Sequence, residues 1–264
     1  MSARETVTGE RFDAESLARF RRDGYVISRA LAPAAIVDRM RTVAQAQLAR
    51  EAGPLEYEAD LGYPGAPASR DAPGGRTVRR LLQAYARDAV FREWATSPVL
   101  ASRLGQLLGA QVMLSQAHHN CIMTKHPAFA SATLWHQDIR YWSFERSELV
   151  SVWLALGRER VENGCLLLLP GTHAMAFEAG RFDEAKFFRD DLEQNRGLIA
   201  TRLAAELEAG DVLFFHCRLL HAAGNNRSGQ TKYSVVFTYH AADNRPLAGT
   251  RSAALPEIAL PAPA

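Results

Sequence analysis

Thr133-Leu134-Trp135-His136-Gln137-Asp138 is the stretch on which the reading turns. Side chains alternate along a strand, so the spacing of His136 and Asp138 sets an imidazole and a carboxylate on one face. One further histidine would complete the two-histidine, one-carboxylate donor set typical of non-haem iron(II) sites. His221, downstream of the apolar run Val212-Leu213-Phe214-Phe215, is a good third donor. His-x-Asp alone is a weak signal, because a surface histidine beside a solvated aspartate has the same spacing.

Working outward, the 264 residues are enough for one large domain that buries roughly 70–75% of its extended surface. A hydrophobic content of 47% argues against disorder. The 31 basic and 29 acidic residues leave a net charge of +2, which is no nucleic-acid footprint. Arg21-Arg22 and Arg79-Arg80 are too short to change that. Three cysteines, Cys121, Cys165 and Cys217, do not make a disulfide framework and fit a reducing compartment. Met1 to Glu5 lacks the apolar core of a secretion signal, and no run approaches the ~18–20 apolar residues of a membrane span. The expectation is a soluble, cytoplasmic protein; the oligomeric state is left open.

Asp13 is placed to cap a helix over 14–22, which Gly24 ends before a strand at Tyr25-Val26-Ile27. Pro33 opens a helix to Glu51, with Ile36, Met40, Val43 and Leu48 apolar. Gly53 to Gly75, with four prolines including Pro64, reads as a long loop without helix or strand. Thr77 to Ala95 reads as helix, with Arg79 and Arg80 a solvated stripe unless one reaches an anionic substrate. Pro98 to Leu108 is a helix stopped by Gly109. Val112 to Lys125 forms one strand or two, along which His118 and His119 point oppositely. Further strands are predicted at 149–156, 165–169, 212–215 and 233–240, with an insertion holding one short helix at 178–195. His216 continues its strand, whereas His221 opens the next segment, and both compete for the third metal position. Periodicity by itself supports a mixed helix-and-sheet domain.

Trp135-His136-Gln137-Asp138 is followed by Glu162-Asn163-Gly164-Cys165-Leu166 and Pro170-Gly171-Thr172-His173. Gly210-Asp211, Phe215-His216, His221, Asn226 and Ser228 come next, and Phe20 to Val26 supplies a matching start. In this order and spacing, the chain resembles the phytanoyl-CoA dioxygenase family of iron(II)/2-oxoglutarate oxygenases over nearly its whole length. The resemblance implies one oxygenase domain over 1–264, mainly β with covering helices at about 14–108 and a catalytic β core at about 111–240. That core would be a double-stranded β-helix, a jelly roll of cupin type, with the 53–75 loop mobile near the pocket mouth.

It further implies that His136, Asp138 and His221 carry the catalysis by holding Fe(II), and it favours His221 over His216 and His173. 2-Oxoglutarate and molecular oxygen would be cosubstrates, and a small organic metabolite would be hydroxylated with release of succinate and carbon dioxide. Lys232, eleven residues after His221, stands where the family has an arginine for the distal carboxylate of 2-oxoglutarate. Lysine lacks the planar two-point grip of arginine. Ala223 replaces a hydroxyl residue two positions beyond the distal histidine. Lys125, Asn120, Thr133, Trp153 and Ser228 are further cosubstrate-binding candidates. Gln137, Arg140, Tyr141 and Trp142 are substrate-binding candidates, suited to a carboxylated or amphiphilic small molecule. Two other readings stay open: a cupin-like metal enzyme independent of 2-oxoglutarate, and a non-catalytic metabolite-binding protein.

Overall fold

The computed structural model describes residues 11–262 except 64 and 110. The N-terminal stretch read for a secretion signal, and Pro64 of the proline-rich loop, lie outside the described residues. Helix α1 (Ala14–Asp23) starts where the Asp13 carboxylate accepts the Ser16 N–H at 2.7 Å, and it stops at Gly24, whose φ is 80°. Strand β1 (Tyr25–Ser28) follows at once. Helix α2 (Ala34–Ala49) buries Val37, Met40 and Ala44, with Ile36, Val43 and Leu48 at the margins of that stripe.

The next segment departs from expectation. Residues 53–75 contain β2 (Leu55–Tyr57) and a 3-10 turn at Glu58–Asp60. The predicted helix over 77–95 is instead β3 (Val78–Leu82) followed by two short helices, α3 (Ala84–Arg87) and α4 (Ala89–Ala95). The backbone of β3 finds hydrogen-bonding partners on both sides, which the period of the five residues Val-Arg-Arg-Leu-Leu cannot reveal. Gln83, at φ 58°, then turns the chain into α3. Helix α5 (Pro98–Leu108) completes the layer as expected.

The remaining strands are β4 (Val112–Ser115), β5 (Cys121–Lys125), β6 (Thr133–His136), β7 (Leu149–Ala155), β8 (Leu166–Leu168), β9 (Leu203–Ala205), β10 (Val212–His216), β11 (His221–Ala223), β12 (Lys232–Ala241) and β13 (Ile258–Ala259). The larger sheet runs β1-β10-β7-β12-β5-β3-β2, with β4 also on β12 and β13 on β4. The smaller runs β6-β11-β8-β9. All the pairings are antiparallel, as in a jelly roll. The N-terminal third therefore supplies β1, β2 and β3 to the larger sheet as well as covering helices.

Alternation assigns the two faces. Val235, Phe237 and Tyr239 of β12 and Val212 and Phe214 of β10 pack under the helices. Val236, Leu213, Phe215 and Trp153 point instead at Leu166, Leu168 and Ala223 of the smaller sheet. With both faces covered, β7 and β10 read as continuous apolar runs. Outside the smaller sheet, Phe182 and Phe188 of the insertion pack on Trp135, Leu169 and Leu220. Its expected short helix is α6 (Glu193–Ile199), which starts near the end of the insertion and runs past it, after a 3-10 turn at Ala179–Arg181.

Gly24 joins the helical layer to the sheet. A Cβ there would lie 2.5 Å from Nδ1 of His173, on a backbone with φ 80°. Gly24→Ala is expected to lower stability by about 1–3 kcal/mol, read as a lower urea midpoint at unchanged slope.

Candidate metal centre

Strands β6 and β11 pair so that His221 stands directly opposite His136. Each imidazole Nδ1 donates to the carbonyl two residues upstream: His136 to Leu134 at 2.8 Å, His221 to Leu219 at 3.0 Å. That fixes the tautomer and leaves each Nε2 with a free lone pair. Both Nε2 atoms lie 3.6 Å from Asp138 Oδ1. Asp138 is not on a regular strand, as its spacing suggested: β6 ends at His136, and Asp138 opens a 3-10 turn to Tyr141. Ile139 N–H donates to Cys217 O at 3.1 Å and ties this turn to the segment leading into β11.

The three donor atoms lie within 4.8 Å of one another. Ligand bonds of about 2 Å to one ion fit that spacing. Burial, reinforced by His136, lowers the His221 pKa to about 4, so the ring is neutral at ordinary pH. Burial pushes the Asp138 carboxyl upward, but His119, His221 and His136 outweigh it and hold it below the usual carboxylate range. Two neutral imidazoles and one carboxylate suit iron(II). His173 and His216 are elsewhere: their rings pack 5.4 Å apart, and His173 bonds Arg21 O at 3.2 Å.

A cavity between the sheets runs from His136 and His221 past Thr133 and Trp153 to Lys125 and Lys232. Arg79 and Arg80 also line it, contrary to the solvated stripe expected. Arg79 pairs with Glu58 at 3.0 Å and Arg80 with Glu56 at 2.9 Å, because β2 and its following turn bring carboxylates alongside β3. Lys232 pairs with Glu159 at 3.1 Å. Glu159 is fully enclosed and also accepts Trp153 Nε1–H at 3.0 Å and Ser234 O–H at 2.5 Å. Among the described residues, Lys125, cross-strand from Lys232, donates only to the carbonyls of Ser131 (3.0 Å) and Gly224 (2.6 Å). Burial, then Arg79 and Lys232, lowers its pKa to about 7.

Two cosubstrate candidates are not brought to the cavity. Asn120 accepts the Tyr85 N–H at 2.8 Å, and Ser228 donates to Asn226 at 2.7 Å within the turn before β12. Among the substrate candidates, Gln137 donates to Arg218 O at 2.5 Å, Arg140 lies over the Phe182 ring, and Trp142 stacks on His118. Tyr141 alone of these four keeps an exposed ring, 6.3 Å from that of His136. Sequence reasoning missed Glu159, and of His118 and His119 it says only that at least one belongs to the core or to the surroundings of the metal ligands. The buried indole of Trp153, which needs an acceptor, is the one sequence signal for Glu159.

A family model described as phytanoyl-CoA dioxygenase (PhyH) matches residues 20–234. The chain is 26% identical over 235 residues to the peroxisomal phytanoyl-CoA dioxygenase of Homo sapiens, covering 85% of this chain and 67% of that protein. It is 25% identical over 260 residues to the ectoine dioxygenase of Halomonas elongata, covering 90% and 74%. The solved non-haem alpha-ketoglutarate-dependent epimerase SnoN from nogalamycin biosynthesis superposes with a TM-score of 0.68 at 26% identity, covering 86% and 82%. EctD from S. alaskensis, at 21% identity and a TM-score of 0.71 over 93% and 81%, shares the fold.

Asp138→Ala and His221→Ala are each expected to abolish stoichiometric iron(II) binding in a chelator competition, while His216→Ala retains it. Acid should also weaken the metal-free fold. Burial holds His118 and His216 neutral down to about pH 3, and His221 to about 4, against 6.5 when unfolded. The unfolded chain then binds more protons, so stability is full above 6.5 and falls as pH drops towards 4. Urea midpoints at about pH 7 and about pH 5.5 read this directly.

Proposed function

The chain belongs to the phytanoyl-CoA dioxygenase family, and on that premise we propose that it hydroxylates a small organic metabolite, with Lys125 as the main cation for the remote carboxylate of 2-oxoglutarate. The observation that carries the reading is the convergence of two fixed Nε2 atoms on one oxygen of Asp138. Iron(II) held there, with 2-oxoglutarate and oxygen, supplies oxidising power to a C–H bond, with release of succinate and carbon dioxide. The chain's own residues hold and orient the reactants and limit water.

Charge matching supports Lys125 over Lys232. Arg79, Arg80 and Lys232 each have a carboxylate partner, whereas no carboxylate lies within ion-pair distance of Lys125 among the described residues. A buried, unmatched ammonium is costly, and an incoming anion relieves that cost. Gly164 lets the Lys125 side chain lie where it does: a Cβ there would come within 2.7 Å of Lys125 Cδ and 2.5 Å of Gly224 O. Thr133 supplies the hydroxyl that its cross-strand partner Ala223 lacks. Its oxygen accepts from Arg79 at 2.5 Å, so its hydrogen is free to donate into the cavity.

Tyr141, whose exposed ring lies 6.3 Å from that of His136, and the basic interior support an amphiphilic or carboxylated substrate. The described residues include no helix long and apolar enough to cross a membrane. Three free, buried cysteines support a reducing compartment, the cytoplasm.

Anaerobic titration of the iron-loaded protein with 2-oxoglutarate, followed by its visible charge-transfer band, tests the reading. Lys125→Met should weaken binding by at least ~30-fold, as for truncation of one partner of a buried charge pair. Lys232→Met with Glu159→Gln removes a matched pair and should bind within a few-fold of the parent. The reverse ranking returns the anchor to Lys232. No band in the iron-loaded parent would favour metal chemistry independent of 2-oxoglutarate.

A further inference from the structure

Asp138 turns its two oxygens to different neighbours. Oδ1 faces the imidazoles of His136 and His221, at 3.6 Å from each. Oδ2 lies 3.4 Å from Ser151 Oγ and 3.5 Å from His119 Nδ1. Ser151 Oγ and His119 Nδ1 are themselves 3.2 Å apart. An ionised carboxylate only accepts, so the Ser151 hydroxyl donates to Oδ2, and the serine oxygen is left to accept from His119 Nδ1–H.

We propose that His119 and Ser151 are positioning residues, a clamp in which His119 donates to Ser151 and Ser151 donates to Oδ2 of Asp138, leaving Oδ1 as the single oxygen facing the metal. Ser151 is suited to this because β7 is buried on both faces, and its hydroxyl points from the larger sheet towards the turn that carries Asp138. His119 sits in the β4–β5 connection with φ 36°, a left-handed conformation that a non-glycine residue adopts only where its surroundings impose it. Those surroundings are visible. His118 pairs with Ser252 Oγ at 2.7 Å, and Asn120 accepts the Tyr85 N–H. Trp142 stacks on His118 at 5.0 Å and meets His119 edge-on at 5.1 Å. The connection thus fixes His118 in the core and sends His119 to Asp138. Ligating carboxylates work in company with such outer partners, whose loss weakens metal binding by about 10–100-fold.

The clamp rests on the metal-centre reading, and its test separates the two. Iron(II) affinity of the full chain would be measured by chelator competition for the parent, Ser151→Ala, His119→Gly and His119→Asn, each with a thermal unfolding curve. Glycine relieves the left-handed backbone. His119→Gly should therefore keep or raise Tm while binding iron about 10–100-fold more weakly. Ser151→Ala should weaken iron similarly. His119→Asn tolerates the backbone and retains an amide donor, so it should recover part of the affinity. Parent-like iron affinity in both His119→Gly and Ser151→Ala would overturn the clamp. So would a fall in Tm with affinity retained, which would make His119 a purely structural residue. A parent that binds no iron would overturn the metal centre and the clamp together, whereas a binding parent beside unaffected variants overturns the clamp alone.

Discussion

The cross-strand register of β6 and β11 is the constraint on which the site depends. Two short strands, far apart in the chain, put His136 and His221 face to face. A slip of one residue would turn one imidazole to the other side of the sheet. The register is held from the opposite edge, where His221 and Ala223 pair with Leu168 and Leu166 of β8. It is held from below as well, because those leucines and Ala223 must pack on Trp153 and Phe215 of the larger sheet. Each histidine then bonds a carbonyl of its own chain two residues back, so backbone course alone sets the ring orientation. Neither ring needs a separate side-chain acceptor.

Closing the two sheets on each other places several charges in a space with little water, and the chain matches most of them in advance. Glu56 and Glu58 come from the segment whose prolines and glycines read as plain loop; their partners lie on β3. Glu159 serves Lys232, and it also gives Trp153 and Ser234 their acceptor. A buried pair is tolerable when its remaining hydrogen-bonding capacity is filled, as it is between Glu159 and Lys232. Lysine at 232 and glutamate at 159 therefore form one unit. Where the family resemblance leads one to expect an arginine, this chain holds a neutralised pair, and Lys125, across the β5–β12 ladder, has no carboxylate within ion-pair distance among the described residues.

The metal donors and the faces of the long strands were legible in the sequence, and the reasons are physical. Val235, Phe237 and Tyr239 alternate cleanly over a strand long enough to show its period, and His136, Asp138 and His221 lie inside motifs with ordered spacing. The segment Val78–Leu82 was not legible, since five residues fit a helical stripe as well as a strand and the partners that decide lie elsewhere in the chain. Arg79 and Arg80 read as solvated for the same reason: what makes their burial tolerable is a pair of glutamates beyond a long loop. The adjacent histidines could be said to diverge, but not which one faces inward. A left-handed backbone at His119 is not settled by residue type, since histidine adopts it more often than most residues but still seldom.

The two ends of the cavity are prepared in opposite ways, and this bears on how the protein responds to its ligands. At the metal end, the donors are aimed by backbone hydrogen bonds and by the turn that carries Asp138. At the other end, Lys125 is enclosed, packed against Gly164, with only carbonyl partners among the described residues. The first arrangement crowds neutral nitrogens and a carboxylate around an ion's place; the second leaves a cation without its counterion. Both raise the free energy of the empty fold, and both are relieved by ligands that bind the folded chain and not the unfolded one. On the proposed reading, metal and dicarboxylate would enter the same cavity from complementary electrostatic needs, a cation at Asp138 and an anion at Lys125. A ligand that chelates the metal and ends in a carboxylate satisfies both at once, whereas a monocarboxylate of similar length leaves one end unmatched.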